Sequence, residues 1–238
     1  MTAIESVAQP RQRWRIIVRR LPGAPTLAQR DWVAGWEAAL LATGLPLAAA
    51  ERGGPGRPKV QFGPPLPAGM PAENEPIDIF LTESCPIADV RDTLGAWLPE
   101  GHELIELHDV WLGEPALVAQ VSAVVYRLAI GLAGPLSLAG LQGACRDLLG
   151  ARSLPRRRVK GGGEVAYDLR PLIDDLEVVP GDPGTALARA HLRVDPERGI
   201  GRPEEVVAAI AERIGVSIVA ASTVRERVVF GPSIVRGD

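Results

Sequence analysis

Two periodicities alternate along this chain in an order that later repeats, and that order limits the folds open to it. Residues 14–20, WRIIVRR, read as a strand. A helix follows, with Thr26 and Gln29 at capping-box spacing, Val33, Trp36 and Leu40 on one face, and Gly44 as its stop. LPLAAAE (45–51) reads as a second strand. KVQFG (59–63) and EPIDIFLTE (75–83) make a third, interrupted by PPLPAGMPAEN. Pro86 opens another helix with Ile87, Val90, Leu94 and Trp97 inward, and Leu98-Pro99 ends it. HELIELHDVWL (102–112) then alternates like a strand.

From Val121 the order recurs. VSAVVYRLAIGLA is strand-like, and Ser137 caps a helix with Leu138, Leu141, Cys145 and Leu148 inward, stopped by Gly150. RRRVKGGGEVAYDLR reads as a strand pair around a glycine turn, and TALARAHLRV as another strand. Pro203, Glu204 and Glu205 start a helix with Val206, Val207, Ile210 and Ile214 inward and Gly215 at its end. VSIVAASTVRERVVF closes the set. Each half thus reads β-α-β-β-α-β, the order of the ferredoxin-like fold, and the second half carries additional hairpin material. The expectation is an α+β chain of tandem ferredoxin-like architecture, with antiparallel sheets and helices on one face. No residue-level repeat links the halves. Expected boundaries are an arm at 1–13, units at 14–113 and 120–230 meeting between Gly113 and Gln120, and a tail at 231–238. The glycine- and proline-rich stretch 53–69 then lies inside the first unit and is not an interdomain linker.

Composition excludes several classes. At 238 residues, 46% hydrophobic and 23% charged, the chain can bury a sizeable core. A net charge of −3 means that any nucleic-acid role must come from local patches. The N-terminus lacks the apolar core of a signal peptide and no run reaches membrane-spanning length, so a cytoplasmic chain without membrane contact is expected. Cys85 and Cys145 form neither a disulfide framework nor a metal knuckle, and read as small core residues. His102, His108 and His191 share no ligand spacing. No metal and no cofactor are expected, and no catalytic residue is assigned.

Several residues stand out as candidates. On the proline-stiffened segment Pro58 to Glu75, Pro64, Pro65, Leu66 and Pro67 could give apolar contact in a partner or substrate groove. Lys59, Glu75 and Asp78 would supply its polar groups. The bland alternative is a stiff surface loop. Basic residues cluster twice: Arg11, Arg13, Arg15, Arg19 and Arg20 along the first strand, and Arg152, Arg156, Arg157, Arg158 and Lys160 before the glycine turn. Arg156, Arg157, Arg158 and Lys160 form a candidate RNA or phosphate patch; the alternative is a solvated strand edge. Asp168 and Arg170, two apart on an expected strand, form a candidate polar pair. Asp174 and Asp175 read as solvated carboxylates, and Trp32 and Trp36 as core packing.

Three stretches together resemble the DUF2344 family of bacterial proteins, found fused behind, or encoded beside, a radical SAM enzyme. They are PKVQFGPPLPAGMPAENEPIDIFLTE, RRRVKGGGEVAYDLRPLIDDL and GRPEEVVAAI. The resemblance spans roughly residues 14 to 229. Two motifs depart from it. The family's Ser-His-Leu-Asp helix start reads Ala28-Gln29-Arg30-Asp31, and of its Gly-Phe-Asn-Pro-His-Pro-Lys stretch only Gly53, Pro58 and Lys59 remain.

The resemblance implies a radical SAM protein as partner. This sequence has no CxxxCxxC of its own, so cluster chemistry would be that protein's. The resulting reading is a non-catalytic accessory protein, presenting an RNA or protein substrate. An RNA-binding, RNA-processing or RNA-modifying enzyme of double ferredoxin-like fold is the rival, and a plain interaction module the third.

Overall fold

A computed structural model describes residues 8–51, 56–134, 136–160 and 162–231, with the side chains of 158–160 left out. The chain divides into two compact units, Met1–Gln120 and Val121–Asp238. The class is mixed α+β, and every described strand pairing within each unit is antiparallel.

The first unit runs β1 (Gln12–Arg20), α1 (Gln29–Ala42), β2 (Val60–Phe62), β3 (Ala72–Leu81), α2 (Ile87–Trp97) and β4 (His102–Asp109). Its strands lie in the order β4-β1-β3-β2. Alternation along β1 sends Trp14, Ile16 and Val18 to one face. There they pack with Ile77, Ile79 and Leu81 of β3, Trp36 and Leu40 of α1, and Val90 and Leu94 of α2. Both helices therefore cover the same face of this sheet. Arg13 and Arg15 fall on the opposite face, because successive strand residues point to opposite sides.

The second unit runs β5 (Val121–Gly131), α3 (Leu138–Gly150), β6 (Pro155–Lys160), β7 (Gly163–Asp168), β8 (Ile173–Pro180), β9 (Thr185–Asp195), β10 (Gly199–Ile200), α4 (Pro203–Ile214) and β11 (Ala220–Phe230). Its main strands follow the order β11-β5-β9-β8, with β10 also on β9. β6 and β7 form a separate two-stranded ribbon. Val124, Tyr126, Leu128 and Ile130 of β5 share a face with Ala186, Ala188, Ala190 and Leu192 of β9, and all eight are buried.

Several local expectations change. α1 begins at Gln29 with Ala28 as N-cap and no side-chain cap, so the Thr26–Gln29 capping box does not form. LPLAAAE is no strand. It touches its neighbours through single bridges, Leu47 to Leu81 and Ala49 to Pro58, since three alanines offer little side chain to pack along a ladder. β3 starts three residues earlier than expected, at Ala72. Ile87 and Trp97 of α2 are about half exposed rather than inward. β8 was not anticipated: it pairs with β9 in the main sheet, while the expected strand pair β6–β7 forms a ribbon of its own.

Candidate functional site

A buried polar cluster forms where β1 pairs with β3 in the first unit. Register sets Arg15 opposite Asp78 and Arg13 opposite Phe80, so both guanidinium groups converge on one carboxylate. Arg13 Nε donates to Asp78 Oδ2 at 2.9 Å. Arg15 donates from Nε to Oδ1 at 2.8 Å and from Nη2 to Oδ2 at 2.9 Å. Asp78 is fully buried, Arg13 is 1% exposed and Arg15 9%. The remaining Arg13 donors reach the carbonyls of Glu114 (2.8 Å) and Pro115 (3.0 Å). Gln61 of β2 accepts from the Leu117 amide at 2.8 Å, which fastens the 3-10 turn Leu117–Gln120 over the cluster. The Arg13 guanidinium and Lys59 Nζ lie 5.3 and 5.1 Å from the Phe80 ring centre.

A carboxylate held by donors on both oxygens is tied down as a structural acceptor and is poorly placed as a base. Arg13 and Arg15 were expected in a surface basic cluster. They are interior residues, because a buried charge must find an opposite charge and Asp78 supplies it.

The candidate groove residues do not line one surface. Glu75 sits opposite Val18 on the helix-covered face, whereas Asp78 sits opposite Arg15 on the other. Glu75 is 4% exposed, and Pro64 and Leu66 are also buried, leaving Pro65 and Pro67 as the exposed apolar positions. Lys59 pairs with Glu51 at 3.5 Å. Near Glu75, burial lowers the pKa of Arg20, and the Glu75 charge partly offsets it. Arg20 donates to the carbonyls of Pro25 (2.8 Å) and Met70 (3.3 Å), anchoring both loops.

At the same end lies an aromatic nest that the sequence reading divided into separate core residues. Trp32 stacks edge-on against Trp36 and Phe62, and His102 contacts both tryptophans. The Trp32 indole N–H donates to His102 Nε2 at 3.3 Å. Nδ1 must then carry the proton, and it lies 3.0 Å from the Glu100 carbonyl. Burial lowers the His102 pKa, outweighing two carbonyl hydrogen bonds that raise it, and the Arg20 charge lowers it further.

In the second unit Asp168 and Arg170 are not a strand pair. Asp168 Oδ1 accepts from the amides of Leu154 (2.7 Å) and Arg170 (3.0 Å). Its pKa is lowered: burial acts upward, and these bonds, the Ser153 hydroxyl and the Arg170 charge together outweigh it. The Arg170 guanidinium instead binds the carbonyls of Leu149 (2.7 Å) and Ile173 (2.7 Å), joining the end of α3 to β8. Arg170 begins a 3-10 turn, so the two-residue strand period does not apply. Arg156 pairs with Glu212 of α4 at 3.0 Å, and Arg157 with Glu164 across the ribbon at 3.1 Å. The side chains of Arg158 and Lys160 lie outside the described residues. A cavity of about 350 Å³ opens beside Arg156, with Leu148, Leu154 and Ala209 among its apolar lining and Glu212 and Arg213 at its rim. Asp174 is ion-paired with Arg193. Burial pushes the Cys145 thiol up to about 11, against a smaller lowering by Arg146, and so away from reactivity near neutral pH. Among the described residues no helix is long and apolar enough to cross a membrane.

Comparison with solved structures finds similarity at low identity to chains of three complexes. A chain of the Cbf5–Nop10–Gar1 complex matches at TM-score 0.49 and 12% identity, covering 89% of this chain and 48% of that one. A chain of an H/ACA RNP bound to a substrate RNA containing 2'-deoxyuridine matches at 0.48 and 12%, covering 89% and 47%. A chain of the archaeal box H/ACA sRNP Nop10–Cbf5 complex matches at 0.46 and 12%, covering 91% and 48%. The present chain spans about half the length of those chains. No curated protein matches the sequence. The profile of uncharacterised proteins conserved in bacteria, DUF2344, matches residues 13–202, most of the chain, and the chain belongs to that family.

Proposed function

We propose that this chain is a non-catalytic accessory protein of a radical SAM enzyme, built from two ferredoxin-like units, that presents an RNA or protein substrate to its partner. Matching strand orders, β4-β1-β3-β2 and β11-β5-β9-β8, support the tandem reading. The observation that carries the accessory role is the use made of the family-like motif residues. Asp78 binds two buried arginines, Asp168 accepts backbone amides, and Arg170 holds two carbonyls. These groups hold strands and turns in place, which suits a scaffold better than an acid–base centre. The test is to recover the tagged chain from its native cell and to ask for a protein carrying CxxxCxxC. The two purified proteins are then run on size exclusion at micromolar concentration. Co-elution supports the reading; separate elution with no cross-linked species overturns it.

The β6–β7 ribbon favours RNA as the substrate presented. It stands apart from the main sheet, and the Arg157 side chain on it is 75% exposed.

A further inference from the structure

We propose that the outer edge of β4 is a strand-addition site for an extended, basic segment of a partner protein. Among the described strands of the first unit, β4 ends the sheet and pairs only with β1. The amide of Val110 donates to the Arg13 carbonyl at 2.9 Å, which fixes the phase of the ladder. Arg15 and His108 are then the next hydrogen-bonded pair, so the backbone groups of Leu107 and Asp109 face outward. Sheet edges are commonly blunted by charged side chains, by proline or by a bulge. β4, HELIELHD, has no proline, its charges are acidic and so oppose another acidic edge but not a basic strand, and its irregularity lies further back, opposite the Ile17–Val18 step. The stretch from Glu106 to Asp109 stays regular.

Exposed tryptophans bracket this edge. Trp97 ends α2 just before β4 and is 50% exposed; Trp111 follows β4 and is 75% exposed, beside Leu112 at 40%. A Cβ at Gly113 would come within 2.5 Å of the Trp111 ring, so the indole lies directly on that glycine and is held ready as an anchor. Tryptophan is among the residue types enriched at strongly contributing interface positions.

Charge selects the occupant. No lysine or arginine occurs between Arg91 and Arg127, whereas Asp92, Glu100, Glu103, Glu106, Asp109 and Glu114 do; Glu103 is already paired with Arg19 of β1 at 3.1 Å, so Glu106 and Asp109 carry the charge of the regular stretch. A second copy of this chain would set these carboxylates against themselves, which cross-strand pairing disfavours. A lysine- or arginine-bearing strand meets them with the opposite sign. The accessory reading bears on this proposal only for the partner's identity.

The experiment therefore uses the full chain with a synthetic peptide alternating lysine and valine, and its glutamate counterpart. Fluorescence anisotropy and amide hydrogen exchange are the readouts. The lysine peptide should bind, weaken with salt, and slow exchange at Leu107 and Asp109. Asp109→Pro removes an outward N–H that an edge strand can lose, and should cut affinity about tenfold or more, while Asp109→Asn stays within a few-fold. Trp111→Ala should cost about 30-fold. Equal binding of both peptides, or protection elsewhere in the chain, overturns the proposal. So does protection that grows with protein concentration alone, or no binding at about 1 mM. Intact peptide binding without a radical SAM complex would overturn the accessory reading alone.

Discussion

Asp78 joins two buried arginines in the first unit. Two guanidinium groups share its single buried carboxylate, which offsets one of their two positive charges. Asp78→Ala takes the shared carboxylate from both guanidinium groups, and removing one partner of a buried pair costs about 3–5 kcal/mol. Urea unfolding should show that loss, with Asp78→Asn intermediate because it keeps hydrogen-bond acceptance at one oxygen. His102 makes a second, pH-dependent contribution. Its folded pKa lies below the ordinary value near 6.5, so the unfolded chain binds the proton first. Its contribution is complete above about pH 6.5 and is lost as pH falls from there through the lowered folded pKa. Protonation would also set an N–H against the Trp32 indole N–H. Stability measured between pH 7.5 and 5.5 should therefore fall in the wild type, and fall less in His102→Gln.

At the scale of elements, end signals behaved unequally. Ser137 accepts from the Gly140 amide at 3.1 Å, as its place before the apolar run of α3 implied. Ser137→Ala should cost about 1 kcal/mol in chemical denaturation, without changing the fold. α4 was equally readable, from Pro203 and two glutamates at its start to Gly215 at φ 79° after its end. β8 was hidden because its register shifts between Ile173 and Asp175, which breaks the two-residue period just where the strand begins. The Arg13–Asp78–Arg15 cluster was not legible for a different reason. Asp78 stood out within a motif and the arginines within a basic run, but their meeting depends on a register 63 to 65 residues apart in sequence. Local pattern says which face a residue takes, and only pairing says what it meets there.

Binding is the property that belongs to the whole molecule. Under the RNA reading, affinity for structured RNA should be salt-sensitive, and alanine at Arg156, Arg157, Arg158 and Lys160 should make the salt dependence shallower. Each lost phosphate contact accounts for about one unit of slope. Arg156 pairs with Glu212 and its side chain is only 18% exposed, so Arg157 should contribute more than Arg156 when each is changed alone. A slope unchanged by all four substitutions removes the ribbon from consideration. For the partner segment, Leu66→Asp is a test of folding, because Leu66 is buried. Substitutions at the exposed Pro65 and Pro67 report on docking instead.

The shared carboxylate also binds three positions together in descent. A lineage that lost Asp78 would hold two buried cations without their shared carboxylate, and one that lost both arginines would hold a buried anion without either cation. Neither intermediate is easy to pass through. Across related sequences Arg13, Arg15 and Asp78 should therefore change as a set, with apolar residues replacing all three together, and a chain retaining only one of them should be rare.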